Sequence, residues 1–274
     1  NQFHTFGKNH KVKRYFLELS YRGKNYYGWQ VQPEHPTVQK VLQDKLSLLL
    51  GKEIIVTGAG RTDTGVNASY FTAHFDSVPI SETEKFLFHL NCVLPSDILV
   101  YSLVPVPGDA HARFHALSRK YKYIILRRGS AFTHDLSFVY QGELDIGIMQ
   151  EAASLLMEYK AFTSFAKLHS NNTHNLCTLH ASYWEEKGPY LVYTVAANRF
   201  LRNMVRSITG TLLELGRGKR SIREFREIIE QKENSAAGQS APARGLYLFD
   251  IEYPEAYPLS NPVRESNLPF SYPF

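Results

Sequence analysis

The stretch Gly58-Ala59-Gly60-Arg61-Thr62-Asp63-Thr64-Gly65-Val66 joins two predicted strands through a glycine-rich turn. Glycines in such a turn let backbone amides approach phosphate, as in nucleotide-binding loops. The Gly-Lys-Ser/Thr ending of those loops is missing here, and Asp63 would repel phosphate. A carboxylate beside Arg61 in an exposed turn suits a base or a nucleophile, because the arginine favours the ionised form. The structural alternative is a salt-bridged turn that ties two strands together, and residue types alone favour it.

The residues on either side of the turn predict strands and helices in alternation. Tyr15 to Tyr21 alternates apolar and polar side chains as a strand does, and Thr37 can cap a helix that Gly51 ends. The pattern Ser81-Glu82-Thr83-Glu84 is a capping box that predicts a second helix. Further strands are predicted over residues 53–59, 70–75 and 98–104.

The C-terminal part repeats this mixture of elements. Two prolines and a glycine at 105–109 predict a linker, so we divide the chain into a flexible leader (1–13), an N-terminal domain (14–104) and a C-terminal domain (105–274). Mixed strands and helices in both domains predict an α+β fold. The C-terminal elements are predicted as strands at 120–126, 178–184, 189–197 and 246–253, and helices at 145–159, 199–216 and 221–231.

Composition limits the classes of protein to consider. The 274 residues are 43% hydrophobic and 21% charged, which is typical of globular chains. No apolar run approaches the roughly 20 residues that cross a bilayer, so we expect a soluble protein without a membrane partner. The two cysteines, Cys92 and Cys177, lie far apart and indicate a reducing cytoplasm. A formal charge of +5 permits a polyanionic partner such as nucleic acid.

Three arginines near position 200 recur at helical spacing. Arg199, Arg202 and Arg206 predict a basic stripe along the last long helix, which can grip a phosphodiester backbone or simply face solvent. Arg206 follows the apolar pair Met204-Val205 and is therefore expected close to the buried side. A buried arginine needs a carboxylate partner, which makes a pair between Arg206 and Asp63 a concrete hypothesis.

The segment Arg119-Lys120-Tyr121-Lys122-Tyr123 alternates basic and aromatic residues on a predicted strand. Tyrosines on one face of a sheet can stack on an unpaired base, as in proteins that bind single strands. The alternative is that both tyrosines are core residues, which we favour for Tyr123. Histidines are numerous, but His111 and His115 lack an accompanying Glu or Cys ligand set, so no metal site is predicted.

Seven motifs in order make the chain resemble the TruA-type tRNA pseudouridine synthases. The resemblance covers nearly the whole chain and favours the functional interpretation of Asp63 over the structural one. The motifs are Tyr26-Tyr27-Gly28-Trp29-Gln30, Gly60-Arg61-Thr62-Asp63, His111-Ala112-Arg113-Phe114, Arg119-Lys120-Tyr121-Lys122-Tyr123, Phe162-Thr163-Ser164-Phe165, Phe200-Leu201-Arg202-Asn203-Met204-Val205-Arg206 and Ala241-Pro242-Ala243-Arg244-Gly245-Leu246-Tyr247.

This resemblance implies a pseudouridine synthase fold, in which two pseudo-symmetric α+β halves of ferredoxin or RRM type enclose a central cleft. It also implies a cytoplasmic homodimer that holds tRNA and needs neither a metal nor an organic cofactor. The implied reaction is isomerisation of uridine to pseudouridine in the anticodon stem-loop, at tRNA positions 38, 39 and 40. The enzyme would thus be an isomerase, an intramolecular transferase.

The resemblance also implies roles for individual residues. Asp63 matches the catalytic aspartate, and Arg61 matches the arginine linked to flipping of the target base. Tyr121 matches the tyrosine that stacks on the uracil, and Arg206 matches the arginine that pairs with the catalytic carboxylate. The tRNA contacts expected besides Arg61 and Tyr121 are His111, Arg113, Phe114, His169, Ser170, Asn171 and Arg202.

Two departures from the family pattern bear on these expectations. Asn67 stands where many relatives have histidine, so a hydrogen-bond donor is kept while an ionisable group is lost. The loop Lys167 to Thr173 is less basic than in relatives, which predicts weaker RNA contact there. The alternative functions are a non-catalytic RNA-binding or chaperone module on the same fold, and nucleotide binding at the glycine turn.

Overall fold

Strands and helices alternate along both halves of the chain, in a computed structural model that describes residues 12–167, 174–233 and 237–262. Nearly all of the predicted leader therefore lies outside the described residues. The N-terminal half contains β1 (Lys13–Tyr21), α1 (Val38–Leu50), β2 (Thr57–Gly58), β3 (Asn67–Ser77), α2 (Thr83–Val93) and β4 (Ile98–Val106). The C-terminal half contains β5 (Ser118–Leu126), β6 (Phe138–Val139), α3 (Ile146–Leu155), β7 (Leu179–Lys187), β8 (Tyr190–Ala197), α4 (Met204–Gly216), α5 (Ile222–Gln231) and β9 (Leu246–Glu252).

The strands form one sheet with the order β4-β1-β3-β9-β5-β8-β7, while β2 pairs with β3 and β6 with β5. The two halves join where β3 and β9 run parallel, at the pairs Asn67↔Tyr247 and Ala68↔Leu248. Strand β3 pairs with β1 along one edge and with β9 along the other. Strand β2 pairs with β3 on the same edge as β9 but further along the strand, at Thr57↔His74. The glycine-rich loop runs from β2 to β3 and so lies where the halves meet.

Each half has the same internal strand order. With the two-residue strand β6 set aside, the first strand of each half, β1 or β5, lies between the fourth and the third, and the second strand pairs with the third. The orders are β4-β1-β3-β2 and β9-β5-β8-β7. Mixed antiparallel and parallel pairing with helices confirms the predicted α+β class.

Apolar residues of each half bury themselves in a separate main cluster. The N-terminal cluster contains Phe16, Leu42 and Phe71, each fully buried, and the C-terminal cluster contains Ile208 and Phe225. Burial of such a side chain stabilises the fold by roughly 1.5–3 kcal/mol. None of the helices in the described ranges is long and apolar enough to cross a membrane.

Two helix starts follow their sequence signals. Thr37 caps α1 by accepting a hydrogen bond from the amide of Lys40, and Gly51 ends the helix in the left-handed conformation with φ 66°. Ser221 and Glu224 form both bonds of the predicted capping box of α5. In each case the polar side chain satisfies an amide that lacks a partner within the helix.

Three predicted boundaries are wrong. The capping box at Ser81 does not form: α2 begins at Thr83, and within the described chain the side chain of Glu82 caps no amide. Of the strand predicted over 53–59, only β2 forms. The residues before β2 bind side chains of α1 instead of another strand: the amide of Ile54 donates to Ser47, and the amide of Val56 donates to Gln43.

The third wrong boundary concerns the predicted linker at 105–109. Strand β4 continues to Val106, with Pro105 paired opposite Tyr15. Proline is tolerated there because β4 is the end strand of the described sheet, where one side of the strand needs no amide donors. The connection between the halves therefore begins at Pro107, and the division into domains remains a prediction.

Candidate active site

The glycine-rich loop is held by the segment around Gly28. The amide of Trp29 donates to the carbonyl of Thr62 at 3.2 Å, and the amide of Gly65 donates to the carbonyl of Tyr26 at 3.3 Å. Gly28 has φ +86°, and a Cβ atom there would lie 2.3 Å from the Thr62 carbonyl oxygen. Only glycine fits this approach, so the Tyr26–Gln30 motif acts as a backbone cradle for the loop.

Asp63 projects from a loop whose neighbouring residue is fixed. The hydroxyl groups of buried Thr62 and Tyr21 lie 2.9 Å apart in a hydrogen bond that ties the loop to the end of β1. The amide of Val66 donates to the carbonyl of Asp63 at 3.1 Å and closes the turn. The Asp63 side chain remains 25% exposed, so the anchored backbone leaves the carboxylate accessible to solvent.

Two arginines face the Asp63 carboxylate. Nη1 of Arg206 lies 3.9 Å from Oδ2, and Nε of Arg202 lies 3.9 Å from Oδ1. These distances are too long for direct hydrogen bonds but short enough for strong electrostatic attraction in a partly buried site. Arg206 is also fixed to Ala241, since its Nε donates to the Ala241 carbonyl at 2.8 Å and its own carbonyl accepts the Ala241 amide at 2.9 Å.

The predicted basic stripe along a helix is wrong. Helix α4 begins at Met204, so Arg199 and Arg202 belong to the preceding loop and only Arg206 is helical. Asn203 interrupts the pattern, because its backbone is left-handed with φ 65° and its side chain donates to Ser240 Oγ at 2.7 Å. The turn brings Arg202 to the carboxylate, while Arg199 lies against His174.

Tyr121 belongs to β5 and lies close enough to Asp63 to interact with its charge. Burial raises the pKa of the Tyr121 phenol, and the nearby Asp63 carboxylate raises it further. The ring meets Phe200 edge to face, with centroids 5.1 Å apart. The pairing of β5 with β9 shifts register between Lys120 and Tyr121, and such irregularities re-aim side chains next to functional sites. Tyr123 is fully buried, as predicted, and its hydroxyl donates to the Pro242 carbonyl at 2.9 Å.

Comparison with known proteins places this arrangement in a family. The family model described as tRNA pseudouridine synthase matches residues 152–254. A protein of Azobacteroides pseudotrichonymphae named tRNA pseudouridine synthase A is 48% identical over 89% of this chain and 98% of its own length. Proteins of the same name from Parabacteroides distasonis and Colwellia psychrerythraea are 46% and 38% identical, over 89% and 90% of this chain and 97% and 96% of their own lengths.

The chain belongs to the tRNA pseudouridine synthase A family. It is therefore a pseudouridine synthase, an isomerase. The glycine loop of this synthase presents a carboxylate between two arginines. Its partly buried aromatic neighbour, Tyr121, joins the side chains that the sequence grouped around Asp63.

The other predicted RNA contacts of the synthase lie on its surface. Arg61 is exposed in the loop, two residues before Asp63. Arg113 and Phe114 project from the connection between β4 and β5, with the guanidinium 5.6 Å from the ring centroid and the Phe114 side chain 72% exposed. His111 supports them, since its Nδ1 accepts both of their amides at 3.1 and 3.3 Å.

Burial and the charge of Arg14 lower the pKa of His111, which suits its acceptor role because an acceptor nitrogen must be unprotonated. The remaining predicted contacts, His169, Ser170 and Asn171, lie outside the described residues together with Asn172. No group of three or more potential metal ligands forms among the residues described.

Two residues of the synthase, Asn67 and Arg119, have structural roles that the sequence analysis did not predict. Asn67 accepts the amide of Gly23 at 2.8 Å and donates to the carbonyl of Arg244 at 3.0 Å, so it ties the N-terminal half to the C-terminal half. Arg119 donates to four backbone carbonyls, those of Ala59, Arg113, Ala116 and Asn198. Neither role was recognisable, because the partners are backbone atoms that carry no residue-type signal.

Proposed function

We propose that the protein isomerises uridine to pseudouridine in the anticodon stem-loop of tRNA, at positions 38, 39 and 40, with Asp63 as the nucleophile. The observation that carries this proposal is the Asp63 carboxylate, held 3.9 Å from both Arg202 and Arg206 at the junction of the two halves. The relatives named tRNA pseudouridine synthase A support tRNA as the substrate.

The reaction explains why these side chains are needed. The bond from C1′ to N1 of uracil breaks, the base turns, and a bond from C1′ to C5 forms while C5 loses its proton and N1 gains one. Attack of the carboxylate on C6, attack on C1′ and removal of the C2′ proton all require an ionised Asp63. Arg206 and Arg202 each lie 3.9 Å from the carboxylate, so two positive charges balance its negative charge.

The target base must leave the RNA stack before this chemistry can occur. Enzymes that act on a base flip it into a pocket and read it there by stacking and hydrogen bonds. In our proposal exposed Arg61 contacts the RNA as the base flips, and Tyr121 stacks on the uracil. The exposed pair Arg113 and Phe114 adds a cation and an aromatic ring, which suits contact with unpaired nucleotides.

The protonation of Tyr121 bears on the removal of the C5 proton. Burial and Asp63 both raise the pKa of the phenol, so it is protonated at neutral pH and can act as a hydrogen-bond donor. A protonated phenol is a poor base, whereas its oxygen can still orient a water molecule. We therefore favour a bound water as the acceptor of the C5 proton, with Tyr121 as the group that positions it.

We also propose that the two halves are related by a pseudo-twofold axis. Their identical internal strand orders, β4-β1-β3-β2 and β9-β5-β8-β7, support this relation. Assembly into a homodimer and a cytoplasmic location follow from the resemblance, and both are part of the proposal. Light scattering at micromolar concentration measures the mass directly, and a monomer would exclude the dimer.

Mapping of the modified nucleotides tests the proposed substrate. The protein is incubated with unmodified tRNA transcripts that carry uridine at positions 38, 39 or 40, and pseudouridine is located at nucleotide resolution. We expect modification in the anticodon stem-loop at those positions. Pseudouridine confined to another stem-loop would refute the assignment of the substrate while leaving the chemistry at Asp63 in place.

A further inference from the structure

Arg119 contacts four backbone carbonyls in segments that surround the start of β5. Its Nη2 donates to the carbonyls of Ala59 at 3.0 Å and Arg113 at 2.5 Å. Its Nη1 donates to the carbonyls of Ala116 at 2.9 Å and Asn198 at 3.0 Å. The four acceptors belong to three different segments, so one side chain links parts of the chain that are remote in sequence.

Each linked segment carries residues of the proposed site. Ala59 begins the loop that presents Asp63, and its amide is fixed to the Thr72 carbonyl at 2.8 Å. The segment 113–116 carries the exposed pair of arginine and phenylalanine on the surface. Asn198 precedes the turn that directs Arg202 to the Asp63 carboxylate, and its side chain accepts the amide of Thr178 at 2.9 Å.

We propose that Arg119 is the positioning residue that holds these three segments in one arrangement, so that the carboxylate, its cationic partner and the RNA-contacting loop keep their relative positions. This inference rests on the proposed function for its catalytic consequence. Arg119 acts on the site through the backbone carbonyls that it fixes.

Arginine suits this task better than lysine. The planar guanidinium offers five N–H donors in fixed directions, whereas lysine offers one compact ammonium group. Burial lowers the pKa of Arg119, and the partial charges of the four carbonyl oxygens compensate the buried cation. Lysine at this position would keep the charge but could not reach carbonyls on three segments together.

Arg119→Lys is therefore the informative variant, and Arg127→Lys is its matched control. Arg119 is the second residue of β5, whereas Arg127 follows the other end of the strand and donates to the Gly142 carbonyl at 2.9 Å. With saturating protein and a transcript that the wild type modifies, Arg119→Lys is expected to lower the single-turnover rate at least about tenfold. The dissociation constant for the same tRNA is expected to change less than about threefold, and Arg127→Lys to leave both unchanged.

Amide hydrogen exchange gives a second readout that does not depend on activity. In Arg119→Lys we expect faster exchange in all three segments, 59–66, 112–117 and 198–203, and in Arg127→Lys in none of them. Arg119→Gln repeats the design should the lysine variant not fold. Wild-type rate and exchange in the Arg119 variants, or a loss confined to tRNA affinity, would overturn the proposal. A wild-type protein that makes no pseudouridine instead refutes the proposed function, and the exchange data then still decide the placement by Arg119.

Discussion

Asp63 lies between two arginines that differ in how firmly they are held. Arg206 is 22% exposed and bonded to Ala241, whereas Arg202 is 59% exposed and lies in the loop before α4. Because Arg206 cannot move away from the carboxylate without breaking its bond to Ala241, we assign it the constant electrostatic role. Arg202 is free enough to contact phosphate when RNA enters the cleft.

This difference predicts a binding phenotype for Arg202→Gln. The slope of log affinity against log salt concentration is negative, and its magnitude counts the phosphate contacts. Loss of one contact releases one counterion fewer, so the magnitude of the slope should decrease by about one. Equilibrium tRNA binding at several salt concentrations measures the slope. Arg223→Gln is the control, because Arg223 is 88% exposed on α5 and paired with Glu227. An unchanged slope in Arg202→Gln would mean that Arg202 serves the carboxylate alone.

The sequence predicted side-chain pairs at this scale better than backbone contacts. The expected proximity of Arg206 and Asp63 rested on one rule, that a buried cation needs an anion, and the structure places the two side chains at 3.9 Å. Arg119 and Asn67 bind carbonyls and amides instead, and every residue type supplies those groups. Such contacts are fixed by the fold and leave no pattern in the chain.

At the scale of elements, sequence signals predicted a boundary correctly where a side chain binds a backbone amide of the same element. Helices α1 and α5 begin at their predicted caps because the capping side chain and its amide are three residues apart. Strand β2 and helix α4 were misjudged because their boundaries depend on distant groups. Side chains of α1 bind the amides before β2, and Ser240 binds the side chain of Asn203 before α4.

The backbone cradle around the glycine-rich loop predicts a specific effect of Gly28→Ala. Gly28 and Gly51 both have positive φ, +86° and +66°, but only the Cβ at 28 would meet another group, the Thr62 carbonyl. Gly51→Ala should therefore cost about 1 kcal/mol of stability from backbone conformation alone. Gly28→Ala should cost clearly more and should also lower the single-turnover rate, since the clash displaces the residue next to Asp63.

Urea unfolding and single-turnover assays on both variants measure these effects. The two variants share the conformational penalty, so their difference isolates the steric contact with Thr62. Equal destabilisation, or full activity in Gly28→Ala, would show that the loop does not depend on this contact.

At the scale of the whole molecule, the α+β class was predictable and the junction of the halves was not. Periodicity in each segment gave the class, because apolar spacing depends on the local element. The parallel pairing of β3 with β9 spans only Asn67↔Tyr247 and Ala68↔Leu248, and nothing local in either strand marks it. The glycine-rich loop that carries Asp63 nevertheless lies beside this short junction.

A buried histidine in the sheet, His74, makes the stability of the protein depend on pH. His74 on β3 is buried and its Nδ1 accepts the amide of Ala112 at 3.2 Å, so the folded state holds it neutral. Burial, Arg14 and His111 lower the pKa of His74 to about 4. Because the unfolded chain binds a proton near its ordinary pKa of about 6.5 and the folded chain does not, stability is full above that value and falls as the pH drops towards 4.

Between pH 7 and pH 5 this group should remove about 2 kcal/mol from the free energy of unfolding. His74→Asn keeps an acceptor for Ala112 but does not titrate, so its unfolding free energy should change less over the same interval. Urea unfolding of both proteins at the two pH values measures the difference. An identical pH dependence in wild type and variant would contradict the assignment to His74.

The variant Asp63→Asn tests most directly the proposal that Asp63 carries out the chemistry on uridine in tRNA. The substitution removes the carboxylate charge at almost constant shape, and Asp44→Asn makes the same change on α1, where Asp44 pairs with Lys40 at 2.5 Å. The measurement is single-turnover formation of pseudouridine in an unmodified tRNA transcript, with tRNA affinity determined in parallel. We expect Asp63→Asn to bind the transcript and form no pseudouridine, while Asp44→Asn matches the wild type; pseudouridine formed by Asp63→Asn at the wild-type rate would contradict the claim.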